Sequence, residues 1–282
     1  MKIRKGDIVG RISYGSDILF IVDKIIQENN KRIAILKGMT IRIEATAPIE
    51  DLKIMERTRV EESIKSLDRK LNKRVLNISS KAKKINNIFK MFPIKDIRSR
   101  EYVRTGKILH LDGDKRYTEK SYKHYRNIGL DAIVKNIEEK KQPFFIRTLL
   151  DRYKPDILVI TGHDGMIKGE TGYNDICNYK NSKYFIQSVQ EARKWDINNN
   201  LVIFAGACQS FFEAIMNAGA NFASSPARVL IDFADPLIVA ERVATTDYFK
   251  YITINDIAPD LRDGTSGVGG VGANGKKQTI PL

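Results

Sequence analysis

A histidine and a cysteine each follow an apolar run that ends in small residues. Residues 157–165 read ILVITGHDG, and residues 201–208 read LVIFAGAC. Apolar runs of this length that end in glycine are typical of buried strands. The carboxyl ends of neighbouring parallel strands open onto one crevice, so we expect His163 and Cys208 to meet there.

This pair has the residue types of a cysteine nucleophile and its base. The thiolate is the attacking species, and a neighbouring imidazole can take the thiol proton. A helix predicted to begin near Phe211 adds the positive potential of its N-terminus. An oxyanion needs exposed N–H groups, for which the amides of Gly165 and Cys208 are candidates. The pattern predicts a hydrolase without a metal or organic cofactor, in which Cys208 attacks and His163 is base and acid.

Each residue alone also has a simpler structural interpretation. A cysteine after an apolar strand is often a small buried filler, and a single histidine is often only hydrogen-bonded. Cys177 lies among polar residues, His110 within an apolar strand and His124 on a Lys- and Tyr-rich helix, and we assign none of them a catalytic role. Two cysteines and three histidines without close ligand spacing do not indicate structural zinc.

The order of the two residues separates classes of cysteine hydrolase. Class I glutamine amidotransferases place their histidine after a Gly-x-Cys-x-Gly elbow, whereas no histidine follows Cys208 and Ser210 replaces the last glycine. Caspase-like peptidases place the histidine about 50 residues before the cysteine. Here the separation is 45 residues, which favours an endopeptidase. A cysteine amidase that acts on small molecules stays open.

The elements that must position this pair alternate between strands and helices from about Arg104 onward. Such alternation predicts an α/β domain with a mostly parallel sheet and flanking helices. We predict strands at 107–111, 132–136, 156–161, 201–205 and 228–233, and helices at 118–127, 143–153, 183–195, 211–218 and 236–245. The glycine-rich residues 263–274 have little to bury, so we expect a mobile tail.

Two segments precede this domain. Residues 1–55 carry short β-rich runs at 7–13, 18–25, 32–36 and 40–45 between Gly and Asn turns, which predicts a small, SH3-like β barrel. A helical apolar stripe follows from about Arg57 to Met91, with basic residues around it. We therefore predict a barrel at 1–55, a basic helical linker at 56–103, a peptidase domain at 104–262 and a tail at 263–282.

The blocks TGHDGM and FAGACQS resemble the caspase and gingipain clan of cysteine peptidases. The whole chain, beginning with KIRKGDIVGRISYG, resembles a family of sporulation-specific peptidases. The resemblance implies a caspase-like sheet, a His163–Cys208 dyad, and cleavage of spore-coat and spore-assembly proteins in the mother-cell cytoplasm and on the developing spore coat. The clan has Gly directly after the histidine, whereas here Asp164 stands between His163 and Gly165.

Cleavage after arginine would require a carboxylate in the pocket for P1, the residue before the cleaved bond. A carboxylate matches the forked donors of a guanidinium. Several Arg-specific relatives of the clan have Asp two residues before the cysteine, where this chain has Gly206. Strand ends suggest four other carboxylates: Asp112, Asp114, Asp232 and Asp235. Aspartates at strand ends are also ordinary turn formers.

The formal net charge of +14 raises nucleic acid as a partner. The excess lies mainly between Asp51 and Arg100, with 15 Lys and Arg against 6 Asp and Glu, whereas residues 201–282 have 6 against 8. We interpret it as a solvated helix face, although a non-enzymatic nucleic-acid or coat-scaffold binding protein remains the alternative. No apolar run suits a membrane span or a signal peptide, so we expect an intracellular protein.

Overall fold

The computed structural model of the chain describes residues 2–28, 30–91, 101–167 and 172–281. Its strands are β1 (Ile8–Arg11), β2 (Phe20–Glu28), β3 (Lys31–Gly38), β4 (Glu44–Pro48), β5 (Leu52–Ile54), β6 (Glu101–Arg104), β7 (Ile108–Asp112), β8 (Ala132–Asn136), β9 (Ile157–Thr161), β10 (Val202–Ala205), β11 (Phe222–Ser224), β12 (Tyr251–Ile252), β13 (Val268–Gly270), β14 (Ala273–Asn274) and β15 (Gln278–Pro281). Its helices are α1 (Arg57–Met91), α2 (Lys115–Asn127), α3 (Gln142–Tyr153), α4 (Ser182–Trp195), α5 (Phe212–Asn217), α6 (Asp235–Thr245), α7 (Ile254–Ile257) and α8 (Gly264–Gly267).

A six-stranded sheet forms the centre of the C-terminal part, in the order β13-β11-β10-β9-β7-β8. The neighbours from β11 to β8 pair in parallel, and β13 is antiparallel at one edge. This confirms the predicted α/β domain with a largely parallel sheet. Ile160 of β9 pairs with Ala205 of β10, so these two strands end nearly level and their following loops emerge at the same edge.

Helices cover both faces of this sheet. Successive strand residues point to opposite faces, and β9 shows this: Val159 packs with α2, α6 and α7, whereas Leu158 and Ile160 pack with α3, α4 and α5. Because β9 is buried on both sides, its sequence is continuously apolar instead of alternating. The site must therefore lie at the ends of the strands, where the loops leave the core.

Most of the predicted elements are present, with ends that shift by a few residues. The bounds of α1 and β8 agree with the prediction. The predicted strand 228–233 is wrong: that segment is irregular, and β11, which the sequence did not reveal, lies beside β10 instead. This segment is apolar for a different reason, because Ile231 packs against the N-terminal sheet.

The N-terminal residues form a five-stranded antiparallel sheet in the order β4-β3-β2-β1-β5. One apolar cluster joins this sheet to the C-terminal part, because Ile41 and Ile43 pack with Cys208 and Ile231. Of the predicted linker, residues 92–100 lie outside the described residues. Across the part of the chain that is described, no helix is both long enough and apolar enough to cross a membrane.

The glycine-rich segment after Arg262 is packed into the fold, so the prediction of a mobile tail is wrong. β13 pairs with β11, β14 with β12 and β15 with β6. The glycines permit close backbone approach: a Cβ atom on Gly270 would lie 2.3 Å from the carbonyl oxygen of Asn221. Val268, which stands between two of these glycines in the sequence, is fully buried. The central sheet therefore extends past residue 262, the predicted end of the domain.

We predict that Gly270→Ala lowers the free energy of unfolding by about 2 kcal/mol, because the added methyl group forces β13 away from β11. The matched control is Gly267→Ala in the same segment, where the nearest atom to the new Cβ would be the Asp263 Cβ at 3.4 Å. That change should stay within about 1 kcal/mol of wild type. Urea denaturation of both variants is the measurement, and equal losses would contradict the packed position of β13.

Candidate active site

The loops that carry His163 and Cys208 lie side by side at the carboxyl edge of the sheet. Both side chains are fully buried. The loops meet at a single oxygen, the carbonyl of Arg42, which accepts the N–H of Asp164 at 3.1 Å and the N–H of Cys208 at 3.2 Å. Two backbone N–H groups that converge on one oxygen have the geometry of an oxyanion hole.

Two amides are candidates from sequence for that hole, those of Gly165 and Cys208. Of these, the Cys208 N–H lies at the carbonyl oxygen of Arg42. The N–H of Gly165 instead donates to the Asp164 carboxylate at 2.9 Å. The second amide at this oxygen belongs to Asp164. Asp164 directly follows His163, which is the position that glycine has in the clan. Sequence reasoning passed over it because it looked for glycine, although a backbone N–H does not depend on the side chain.

The imidazole of His163 is neutral and held in one orientation. Its ring stacks on Tyr117, with 5.3 Å between centroids, and its Nε2 atom lies 3.2 Å from the carbonyl oxygen of Gly38. A carbonyl only accepts, so Nε2 carries the proton and Nδ1 keeps its lone pair. Among the described residues Nδ1 has no hydrogen-bond partner. Burial lowers the pKa of His163 to about 4, against the opposing effect of Asp114.

The Cys208 thiol is also neutral in this arrangement. Its Sγ atom donates to the carbonyl oxygen of Ile231 at 3.6 Å and accepts the Ile231 N–H at 3.2 Å. Burial raises the pKa of Cys208 to about 12, although the hydrogen bond from Ile231 acts in the other direction. The thiol and the Nδ1 atom of His163 are not hydrogen-bonded to each other. The two groups therefore lie on neighbouring loops but are not engaged with each other.

The side chain of Asp164 ties the two loops together. Its carboxylate accepts the hydroxyl of Ser182 at 2.5 Å and that of Ser210 at 2.8 Å, and the N–H of Asn181 at 2.8 Å. Ser210 in turn accepts the N–H of Ala207 at 2.9 Å, on the loop that carries the cysteine. Burial raises the pKa of Asp164 to about 6, although these hydrogen bonds favour the ionised form.

Of the four aspartates proposed for a P1 pocket, the structure places Asp112 against a guanidinium inside a closed pocket. Its Oδ2 atom accepts Nη1 of Arg42 at 2.6 Å and the hydroxyl of Thr161 at 3.1 Å. The guanidinium carbon lies 4.9 Å from the ring centroid of Tyr117 and 5.3 Å from that of Phe233. The pocket thus has a carboxylate at its base and two aromatic walls.

The other three aspartates have local partners. Asp114 caps α2 and binds Arg116; burial would raise the pKa of Asp114, but the hydrogen bonds from Arg116 and the charge of His163 bring it to about 2. Asp235 accepts the N–H of Asp232 at 2.9 Å. Asp232 itself accepts the N–H of Ala234 at 3.1 Å in the turn that opens α6. These positions suit the turn-forming role that strand-end aspartates often have.

The remaining residues considered from sequence lie apart from this edge or serve the core. Cys177 is exposed on its loop. His110 is buried, with Nε2 2.8 Å from the hydroxyl of Thr161 and Nδ1 3.1 Å from that of Tyr125. His124 is buried on α2. Within the described residues, no group of three or more His, Cys, Asp or Glu side chains could hold a metal ion.

A thiol, an imidazole and paired amides at neighbouring strand ends are the groups that a hydrolase acting at a carbonyl group would use. The family model described as YabG peptidase U57 matches residues 4–281. The chain therefore belongs to this peptidase family, which confirms the resemblance found in the sequence and the assignment as a peptidase.

A curated relative, the sporulation-specific protease YabG of Bacillus subtilis (strain 168), is 36% identical over 279 residues. The aligned region covers 98% of this chain and 96% of the relative. No solved structure matches the chain significantly. The family is thus one of sporulation peptidases.

We predict that Asp164→Ala lowers the free energy of unfolding by about 3 kcal/mol, because it leaves buried hydroxyl and N–H donors without an acceptor. The control is Asp175→Ala, which removes an exposed carboxylate that accepts a single N–H, from Cys177. That change should cost no more than about 1 kcal/mol, as for a lost cap. Guanidinium denaturation compares the two, and a loss at Asp164 no larger than at Asp175 would contradict its role as a tie between loops.

Proposed function

We propose that the chain is a cysteine endopeptidase of sporulation that cleaves spore-coat and spore-assembly proteins after arginine. The dyad would be His163 and Cys208. The observation that carries the proposal is the convergence of the Asp164 and Cys208 N–H groups on one carbonyl oxygen, between the loops of these two side chains. An acyl-transfer site needs this arrangement, whereas a protein that only binds its partner does not.

The chemistry follows from the positions of these groups. Cys208 Sγ attacks the scissile carbonyl carbon while the carbonyl oxygen lies between the two amides. Nδ1 of His163 accepts the thiol proton and passes it to the leaving amine. Water then attacks the acyl-enzyme with His163 as base and releases the new carboxyl group. The neutral forms of both groups, which burial favours, are the forms from which this sequence starts.

The preference for arginine rests on the pocket around Asp112. A planar guanidinium fits between the rings of Tyr117 and Phe233 and pairs with the carboxylate, as that of Arg42 does. The ammonium group of lysine is a point charge that neither stacks nor forms a fork. Arginine is therefore the P1 residue that matches both the carboxylate and the two aromatic walls. Asp114, Asp232 and Asp235 have local partners, so Asp112 is the carboxylate that we propose for the P1 pocket.

The biological setting rests on the relative. The curated protein is named a sporulation-specific protease, and protein substrates of the spore coat, in the mother-cell cytoplasm and on the developing coat, are the proposal for this chain. We also propose that the N-terminal sheet closes into a small SH3-like barrel over residues 1–55. Residues 56–103 would be a basic linker, and the domain from residue 104 would have a caspase-like arrangement.

We predict that Cys208→Ala and His163→Ala each reduce cleavage of a basic spore-coat polypeptide at least 1,000-fold, because each removes one half of the nucleophile and its base. Cys177→Ala is the control, since that thiol is exposed and apart from the site, and it should cleave like wild type. Gel analysis and N-terminal sequencing of the products are the measurements. Undiminished cleavage by both site variants would exclude the dyad.

We predict that Asp112→Asn changes the choice of P1 residue. The ratio of kcat/KM for an arginine peptide to that for the neutral citrulline peptide should fall about 100-fold, which corresponds to about 3 kcal/mol for a lost buried charge partner. Asp232→Asn is the matched control and should leave the ratio within about threefold, because its carboxylate lies in a turn. An unchanged ratio in Asp112→Asn would remove this carboxylate from the pocket.

A further inference from the structure

The hairpin between β3 and β4 inserts its loop, residues 39–43, into the candidate active site. The N–H of Gly38 donates to the carbonyl oxygen of Ile43 at 2.9 Å and closes the hairpin at the base of this loop. Pairing within the hairpin continues from Lys37 opposite Glu44. The loop is therefore held at both ends by the N-terminal sheet, while its middle contacts the peptidase domain.

The loop backbone is bound as an extended peptide would be. Ile41 forms an antiparallel bridge with Asp232, and Ile43 forms a parallel bridge with Asp164. The N–H of Glu44 donates to the carbonyl oxygen of Asp164 at 2.7 Å. Peptide recognition by main-chain pairing on both sides, with side chains read in pockets, is a common way to bind an extended segment.

Arg42 occupies the position that a P1 residue would take. Its carbonyl oxygen accepts both amides of the candidate oxyanion hole, from Asp164 and Cys208. Its side chain enters the aromatic pocket and pairs with Asp112. The bond between Arg42 and Ile43 is therefore the one presented where a substrate would be cut.

Fold stability does not explain why an arginine stands at position 42. Arg42 is fully buried, yet its Nε and Nη2 atoms have no hydrogen-bond partner among the described residues. A buried ion pair seldom stabilises a fold more than apolar residues of the same volume, and unpaired polar atoms reduce its value further. An apolar side chain would fill the core between Tyr117 and Phe233 at lower cost.

The two reacting groups are bonded to separate backbone segments and not to each other. The Nε2 atom of His163 is bonded to the carbonyl oxygen of Gly38, at the start of the loop, and the thiol of Cys208 is bonded to the backbone of Ile231. The hydroxyl of Tyr117 lies 3.0 Å from the carbonyl oxygens of both Gly38 and Ile41, and its single proton is shared between these two acceptors. The bound state is substrate-like in position but not engaged for attack.

We propose that residues 39–43 are a built-in competitive inhibitor, with Arg42 as a substitute P1 residue, so that the docked N-terminal sheet keeps the peptidase latent. This inference rests on the proposed His163–Cys208 site. Because the loop is tethered, its effective concentration is high and an external peptide competes poorly. A hairpin that holds both sides of the bond keeps the amine end in place, which suits an inhibitor better than a substrate.

The first test compares Arg42→Met with wild type on a chromogenic arginine peptide. The methionine keeps an apolar stem but loses the charge for Asp112, so the loop competes less well. We expect KM to fall at least tenfold with kcat within about twofold, because a competitor in the same chain raises the apparent KM only. Arg32→Met, exposed on the same hairpin, is the control and should behave like wild type.

A second variant disturbs the loop while Arg42 itself is unchanged. A Cβ on Gly38 would lie 2.4 Å from the carbonyl oxygen of Ile41, so Gly38→Ala cannot keep the turn. We expect the same fall in KM. Alkylation by iodoacetamide, read by mass spectrometry, should accelerate at Cys208 at least tenfold in both variants, while the exposed Cys177 reacts equally in every protein and serves as the internal standard.

Three results would overturn the proposal. One is an unchanged or higher KM in both variants, which would make Arg42 a structural anchor. Another is an unchanged alkylation rate at Cys208. The third needs no variant: an intact mass showing that active wild-type protein is cut after Arg42 would make the loop a substrate. Full activity in Cys208→Ala would instead contradict the proposed peptidase site, so the two failures are distinguishable.

Discussion

The carboxylate of Asp164 is the contact on which the site depends, because it holds two loops that the sheet alone would leave separate. β9 and β10 end side by side, but each continues into a loop that must stay at the same height for its amide to point at a shared oxygen. Hydrogen bonds from Ser182 and Ser210 to one buried carboxylate supply that restraint. Buried polar groups that are fully satisfied specify one arrangement strongly, since any other leaves them unpaired.

The N-terminal sheet docks at the same edge of the central sheet, and the proposed inhibition by the β3–β4 loop would act there. The proposed oxyanion hole and P1 pocket would suit an extended segment that offers a carbonyl and a guanidinium, and the β3–β4 loop offers both through Arg42. The apolar contacts of Ile41 and Ile43 add to the docking. A cavity of about 670 Å³, lined in part by Ile43 and Gln209, adjoins this junction.

Sequence patterns predicted the central sheet well because its strands and helices bury regular faces, and periodic burial is visible in a single chain. They failed where packing overrides pattern. β11 is three residues long, which is too short for a recognisable strand pattern in the sequence. The apolar run at 228–233 instead packs against the N-terminal sheet. The glycine-rich C-terminal segment looked unable to pack, yet glycine is what allows β13 to approach Asn221 so closely.

By itself the sequence determined the class of protein and the two residue types at adjacent strand ends, since chain order and local composition are written in it. The tertiary structure alone decided which backbone amides converge, which of four aspartates meets a guanidinium, and that the guanidinium belongs to Arg42, 70 residues before Asp112. These are contacts between segments far apart in the chain. Nothing in local spacing encodes them, because they depend on how the N-terminal hairpin docks against the ends of the parallel strands.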